Sequence, residues 1–211
     1  MSSLHKLPSE LFYLITTSLG VYDLFSLLVV FPYRGSYHQL RHASYSSTHE
    51  KFVALTYAIR TGSLDLVQQI PGIPHLIKDF DDSARHGTGH QHKGILGGDE
   101  FKAQDFAITN LGGYINPLML AINGRSLEIV RFLLDSGAQS DVPDMFHGLL
   151  PVYVATMNED LGTVRLLLEY QAWPNGVTDR QRKLPLDLAL EQNNIGLMKL
   201  LCAHGGCLSS H

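Results

Sequence analysis

Apolar and polar positions repeat with a fixed period along the second half of the chain. The stretches that begin at 116, 150 and 184 each join a short apolar segment to a longer amphipathic one, so the period is 34 residues. A period of this length is typical of stacked helical units that are too small to fold alone. The positions in register are Pro117, Pro151 and Pro185; Ala121, Ala155 and Ala189; Val130, Val164 and Met198; Leu134, Leu168 and Cys202; and Ala138, Ala172 and Gly206.

Each copy predicts two helices joined by a tight turn. Proline suits the first position of a helix because its missing N–H would have no partner there. Alanine four residues later lets two helices approach closely. Gly137 provides a left-handed stop after the second helix, whereas Gln171 is a poorer stop at the same position. The second helix of the copy that begins at 116 has one apolar face, formed by Ile129, Val130, Leu133 and Leu134.

The matching stretches are "NPLMLA", "LPVYVA" and "LPLDLA", then "IVRFLL", "TVRLLL" and "LMKLLC", then "GAQSD" and "QAWPN". These residues resemble the ankyrin repeat, although Gly124 and Gly162 are displaced from the turn glycine of the family. The resemblance implies an all-α solenoid of about four helix-turn-helix repeats, near 51–75, 114–141, 148–175 and 182–209. The first of these carries Leu55, Ala58, Gly62, Leu66 and Val67 at ankyrin spacing.

An insertion separates the first repeat from the second. Ala58 and Ala121 are 63 residues apart, so roughly 30 extra residues lie somewhere in 71–113. Within them, residues 80–100 contain five glycines, and we expect no regular helix there. His86, His90 and His92 lie close together, flanked by Asp81, Asp82 and Asp99.

Histidine and carboxylate side chains can bind a divalent metal ion or transfer protons. Glycine-rich chain holds ligands poorly, however, and the chain has no phosphate-binding loop, nucleophile elbow or H-E-x-x-H motif. We therefore expect no catalytic residue, cofactor or metal site. A small-molecule-binding or catalytic protein that uses this insertion remains an alternative.

The first 48 residues do not follow the repeat and predict two or three short helices. They resemble the F-box through Leu7, Pro8, Glu10, Leu11, Ile15, Leu19, Asp23, Leu24 and Leu27. Pro32 and Gly35 replace the usual end of the third helix. The resemblance implies that this segment binds the Skp-family adaptor of a cullin–RING ubiquitin ligase, with 49–211 as an ankyrin domain that holds the substrate. This pairing of domains is familiar from filamentous fungi. Adaptor-binding candidates are Leu7, Pro8, Leu11, Ile15, Leu24 and Leu27.

A simpler interpretation is that the N-terminal helices only cap the first repeat, whose apolar face would otherwise meet water. The chain would then be a plain ankyrin scaffold. The two interpretations are compatible, because a cap can keep a binding face. The segment has more large apolar residues than one buried face requires, which favours an additional partner.

Large or charged side chains at the predicted loop tips are candidates for contact with a client protein. They are Met145, Phe146 and His147 in one tip, Trp173, and Arg180 and Arg182 in the next. Tryptophan is a frequent anchor of protein interfaces. Tyr114, Tyr153 and Met119, on or near the inner helices, are weaker candidates.

Composition narrows the class further. The net charge of −4 disfavours general nucleic-acid binding. The two cysteines provide no disulfide framework, and we expect Cys202 to be a buried, reduced thiol. We identify no signal peptide or membrane span. We therefore expect a protein of the cytoplasm or nucleus that is a monomer outside its ligase complex, with the adaptor and a client protein as partners.

Overall fold

A computed structural model describes residues 48–85, 116–143, 148–176 and 183–209 of the chain. Every regular element in these ranges is an α-helix, which confirms the all-α prediction. The helices are α1 (Thr48–Arg60), α2 (Leu64–Gln69), α3 (Ile73–Arg85), α4 (Pro117–Asn123), α5 (Leu127–Asp135), α6 (Pro151–Met157), α7 (Leu161–Glu169), α8 (Pro185–Glu191) and α9 (Ile195–Ala203).

Eight of these helices form four stacked hairpins. The first unit is α1–α2, the second α4–α5, the third α6–α7 and the fourth α8–α9. The first helix of each unit packs against the first helix of the next, and the second helices form a parallel row. A continuous apolar core runs between the two rows. This is the solenoid arrangement that the repeat pattern predicts.

The repeated residues occupy the predicted places. Pro117, Pro151 and Pro185 begin α4, α6 and α8. Ala121, Ala155 and Ala189 are all fully buried where these helices meet. The stripe of α5 is also buried. Close approach at alanine and burial of one helical face therefore define each unit.

Left-handed residues mark the two turns of each unit. The turn between the helices places Gly62, Arg125, Glu159 and Asn193 at φ values of 67°, 53°, 54° and 54°. Gly124 precedes the left-handed residue, with φ −76°. After the second helix, Gly137 and Gln171 take φ values of 98° and 61°. Gln171 therefore adopts a conformation that disfavours residues with a side chain.

Helix α3 corrects the expectation that 80–100 lacks a regular helix. Residues 80–85 belong to α3, because the glycines begin only after Arg85 and an apolar face precedes them. Ile73, Ile77 and Phe80 on that face are buried. The Phe80 ring stacks on Phe52 of α1, with centroids 5.8 Å apart and planes 9° apart. The beginning of the insertion is thus a packed part of the array.

The expectation of a buried Cys202 is wrong, because this thiol is exposed. Its equivalents Leu134 and Leu168 are buried against the unit that follows each of them. No further unit covers α9 within the described residues. A sequence stripe identifies the face of a helix, but burial also requires a neighbour.

Candidate interaction surface

A ladder of hydrogen bonds links the loop ends of successive units. The backbone N–H of Trp173 donates to Oδ1 of Asp141 at 2.7 Å, and the N–H of Cys207 donates to Oδ1 of Asn175 at 2.8 Å. Donors and acceptors each advance by 34 residues, so these rungs are the same contact in consecutive units. The side-chain amide of Asn175 also donates to the carbonyl of Gly205, at 2.8 Å.

Asp81 supplies the first rung of the ladder. Its Oδ2 accepts from the backbone N–H of Gln139 at 2.9 Å, and Gln139 is the position equivalent to Trp173. The Asp81 side chain is only 1% exposed. The sequence placed Asp81 beside the histidines as a possible ligand, whereas the structure gives it a structural role on α3.

Trp173 combines an anchored backbone with an exposed ring. Its N–H is held by Asp141, and the preceding Ala172 is buried. Its side chain is nevertheless 58% exposed, although tryptophan is the largest apolar residue. The tip therefore presents a large flat group from a fixed position.

Only one of the sequence-predicted site residues lies within the described ranges, and it is Trp173. The adaptor-binding candidates Leu7, Pro8, Leu11, Ile15, Leu24 and Leu27 lie outside the described residues. The same holds for Met145, Phe146, His147, Arg180 and Arg182, and for His86, His90 and His92.

The inner helices offer a different contact from the one expected. Met119 and Tyr153 are 2% and 5% exposed, because α4 and α6 pack together along this side. Tyr114 lies outside the described residues. Met157 at the end of α6 is instead 49% exposed. Its place as the last residue of an inner helix is the signal that sequence reasoning missed.

Charged contacts near the tips join neighbouring units or brace one of them. The Tyr170 hydroxyl donates to the carboxylate of Asp135 in the preceding unit. This hydrogen bond raises the pKa of Tyr170, and partial burial of the phenol adds to the effect. Lys183 and Glu191 form an ion pair at 2.7 Å within the fourth unit. The tip and the adjoining helix ends thus carry side chains already held in place.

Neither a metal centre nor a membrane helix is found in the described parts of the chain. No three His, Cys, Asp or Glu side chains in these ranges are grouped in a way that would hold a metal ion. Within the same ranges, no helix has the length and apolar character needed to cross a bilayer.

Comparison with known proteins supports the architecture. The family model for ankyrin repeats matches residues 118–210 in three copies. The Ankyrin repeat and KH domain-containing protein of Caenorhabditis briggsae is 31% identical over 97 residues. This alignment covers 45% of the present chain and 4% of the worm protein. Residues 118–210 are therefore ankyrin repeats, a module that binds proteins.

Proposed function

We propose that this chain is a protein-interaction adaptor that holds one client protein at the loop tips. The observation that carries the proposal is the exposed Trp173 ring on a backbone fixed by Asp141. Large aromatic anchors contribute disproportionately to binding, and a prearranged anchor loses little conformational entropy when a partner binds. The client is a folded protein or peptide with an apolar pocket for the indole.

Further client contacts come from the loops on either side of Trp173. In the sequence, Met145, Phe146 and His147 lie in one loop, and Arg180 and Arg182 lie in the other. The apolar set would extend the contact around the indole. The two arginines would favour an acidic rim on the client.

The client site is tested by comparing proteins cross-linked to the wild-type chain, to Trp173→Ala and to Arg165→Ala. Arg165 is exposed on α7 and is the matched control. We expect a client recovered with the wild type and with Arg165→Ala that is lost with Trp173→Ala. Both variants should keep their stability within about 0.5 kcal/mol, because neither side chain is buried. Identical recovery with all three chains would remove Trp173 from the site.

We further propose that residues 1–48 recruit a Skp-family adaptor, so that the chain acts as a substrate receptor of a ubiquitin ligase. The support is the F-box pattern, with Leu7, Pro8 and Leu11 at its centre. Two binding sites on one chain would raise the effective concentration of the client near the ligase. This role requires an intracellular location, in the cytoplasm or the nucleus.

The test of the ligase role is co-purification with the Skp-family adaptor. The chain is compared with a Leu7→Ala, Pro8→Ala, Leu11→Ala triple variant whose helicity is checked by circular dichroism. We expect the wild type to bind and the folded variant to lose binding. Absence of wild-type binding, together with unfolding of the variant, would make the segment a cap and the chain a plain ankyrin scaffold.

A further inference from the structure

The outward face of the fourth unit consists of positions that the next unit covers elsewhere in the array. In the third unit, Thr156 and Leu168 are buried and Leu161 is half-buried. Their equivalents in the fourth unit are all exposed, with Leu190 at 48% and Ile195 at 63%. We call this surface the end face. Its exposed residues are Leu190, Ile195, Cys202, His204 and Leu208.

The second helices show how such a face is covered. Leu127, the first residue of α5, lies over Gly162, the second residue of α7: a Cβ at Gly162 would be 3.5 Å from Cδ2 of Leu127. One unit later, Leu161 lies over Gly196 of α9, with a Cβ again 3.5 Å from Cδ2. The leucine of each unit therefore fits the space above a glycine of the next. Ile195 is the third residue in this series.

The first helices add a polar contact to the same junctions. The side-chain amide of Asn158 donates to the carbonyl of Ile122 at 3.3 Å, and that of Gln192 donates to the carbonyl of Met157 at 3.3 Å. An amide just beyond the first helix of one unit thus reaches the end of the first helix before it. The corresponding acceptor on the end face is at the end of α8.

We propose that the end face binds a helix-turn-helix unit of a partner protein, stacked in the ankyrin register. That unit would carry glycine or alanine as the second residue of its second helix, beneath Ile195. It would carry asparagine or glutamine just after its first helix. Covering Ile195, Cys202 and Leu208 would remove apolar surface from water, as the preceding junctions do.

A second copy of this chain fits the end face less well. Head-to-tail stacking would place Asp65, the second residue of α2, in the glycine position. An acidic side chain against Ile195 would lose hydration without an apolar gain. The end face itself has no permanently charged residue among the positions that lose their cover.

The experiment tethers a suitable unit to the full chain and measures access to Cys202. A second copy of residues 176–209, with its cysteines replaced by serine, is joined after Ser209 in a Cys207→Ser background. The tether keeps the period of 34 and supplies a high local concentration. Alkylation of Cys202 by iodoacetamide should slow by about tenfold or more, because the thiol is then reached only by local opening.

A matched control replaces the copy of Gly196 in the added unit by leucine. This change should restore alkylation to within about twofold of the unextended chain, because the space for Ile195 is filled. An added unit that gains no helical circular dichroism, or that leaves Cys202 as reactive as before, would overturn the proposal.

The unextended chain in the same background separates the other occupants. We expect rapid alkylation of Cys202 at every protein concentration. Protection that increases with concentration, together with a dimer in sedimentation velocity, would assign the face to a second copy. Protection in the dilute monomer would assign it to another part of this chain. Either result would replace the partner unit that we propose.

Discussion

The junction between the first and second units differs from the two junctions that follow it. In the later junctions, the rung acceptors Asp141 and Asn175 each lie 32 residues before their donors. In the first junction, Asp81 lies 58 residues before Gln139 and comes from a helix. The same backbone N–H is thus satisfied by a different element. The repeat requires an acceptor at this place, but it does not require a particular loop to supply it.

This difference changes the setting of the carboxylate. Asp81 is buried beneath its hydrogen bond, whereas Asp141 is exposed to solvent. Removing a buried partner strands a backbone N–H, while water can replace an exposed one. We therefore expect the first junction to depend more strongly on α3 than the later junctions depend on their loops.

The largest effect should follow from detaching α3. Phe80→Ala removes a buried ring that stacks on Phe52, and we expect a loss of about 3–5 kcal/mol in the free energy of unfolding. Urea denaturation of the full chain measures this loss. Lys78→Ala, at an exposed position of the same helix, should change stability by less than about 0.5 kcal/mol. Equal effects of the two substitutions would show that α3 is not packed as described.

The next effect compares two rungs of the ladder. Asp81→Ala should destabilise the chain by about 2–3 kcal/mol, because the N–H of Gln139 loses a charged acceptor in a buried place. Asp141→Ala should cost less than about 1 kcal/mol, because solvent reaches the N–H of Trp173. Both values come from urea denaturation. A larger cost for Asp141→Ala than for Asp81→Ala would reverse the proposed order of the junctions.

The repeat pattern alone predicted the helical units, and the physical reason is local. The prolines, the alanines and the α5 stripe act within a few residues of themselves. The burial of Cys202 was predicted wrongly because it depends on a neighbour that the stripe does not specify. Helix α3 was missed although Ile73, Ile77 and Phe80 follow helical spacing. The fixed period had assigned that segment to an insertion, so its own periodicity was not weighed.

The site was less predictable than the fold. Trp173 was identifiable as the single tryptophan of the chain, but its exposure depends on the rung that holds its backbone. Asp81 had the chemistry of a ligand in sequence, and only its distance to Gln139 shows its structural role. Contacts between residues 30 to 60 positions apart are set by the stacking of units, which local patterns do not encode.

A smaller effect concerns the stops that lead into the first and second rungs. Gly137 precedes Gln139 and Gln171 precedes Trp173, and both stops are left-handed. Gln171→Gly should stabilise the chain by about 1 kcal/mol, because glycine has no steric penalty there. Gly137→Gln should destabilise it by a similar amount, since a Cβ at Gly137 meets nothing within 4 Å and only the backbone is strained. Changes of the same sign in urea denaturation would show that side-chain contacts, rather than φ, decide these positions.

The smallest effect distinguishes the second junction from the third by pH. The hydrogen bond to Asp135 raises the pKa of Tyr170, and His204 occupies the equivalent position one unit later. A tyrosine whose pKa is higher in the folded state stabilises that state below the unfolded pKa of about 10. This contribution disappears as the pH rises through the folded pKa, because the tyrosinate no longer donates and is repelled by Asp135. Tyr170→Phe should therefore be less stable than the wild type at neutral pH, and urea denaturation should show the difference shrinking in alkaline solution. Asp135→Asn, which keeps an acceptor without the charge, should bring the Tyr170 titration in the absorbance difference spectrum closer to the ordinary value. A pH-independent difference between the wild type and Tyr170→Phe would mean that ring packing, and not the hydrogen bond to Asp135, makes the second junction distinct.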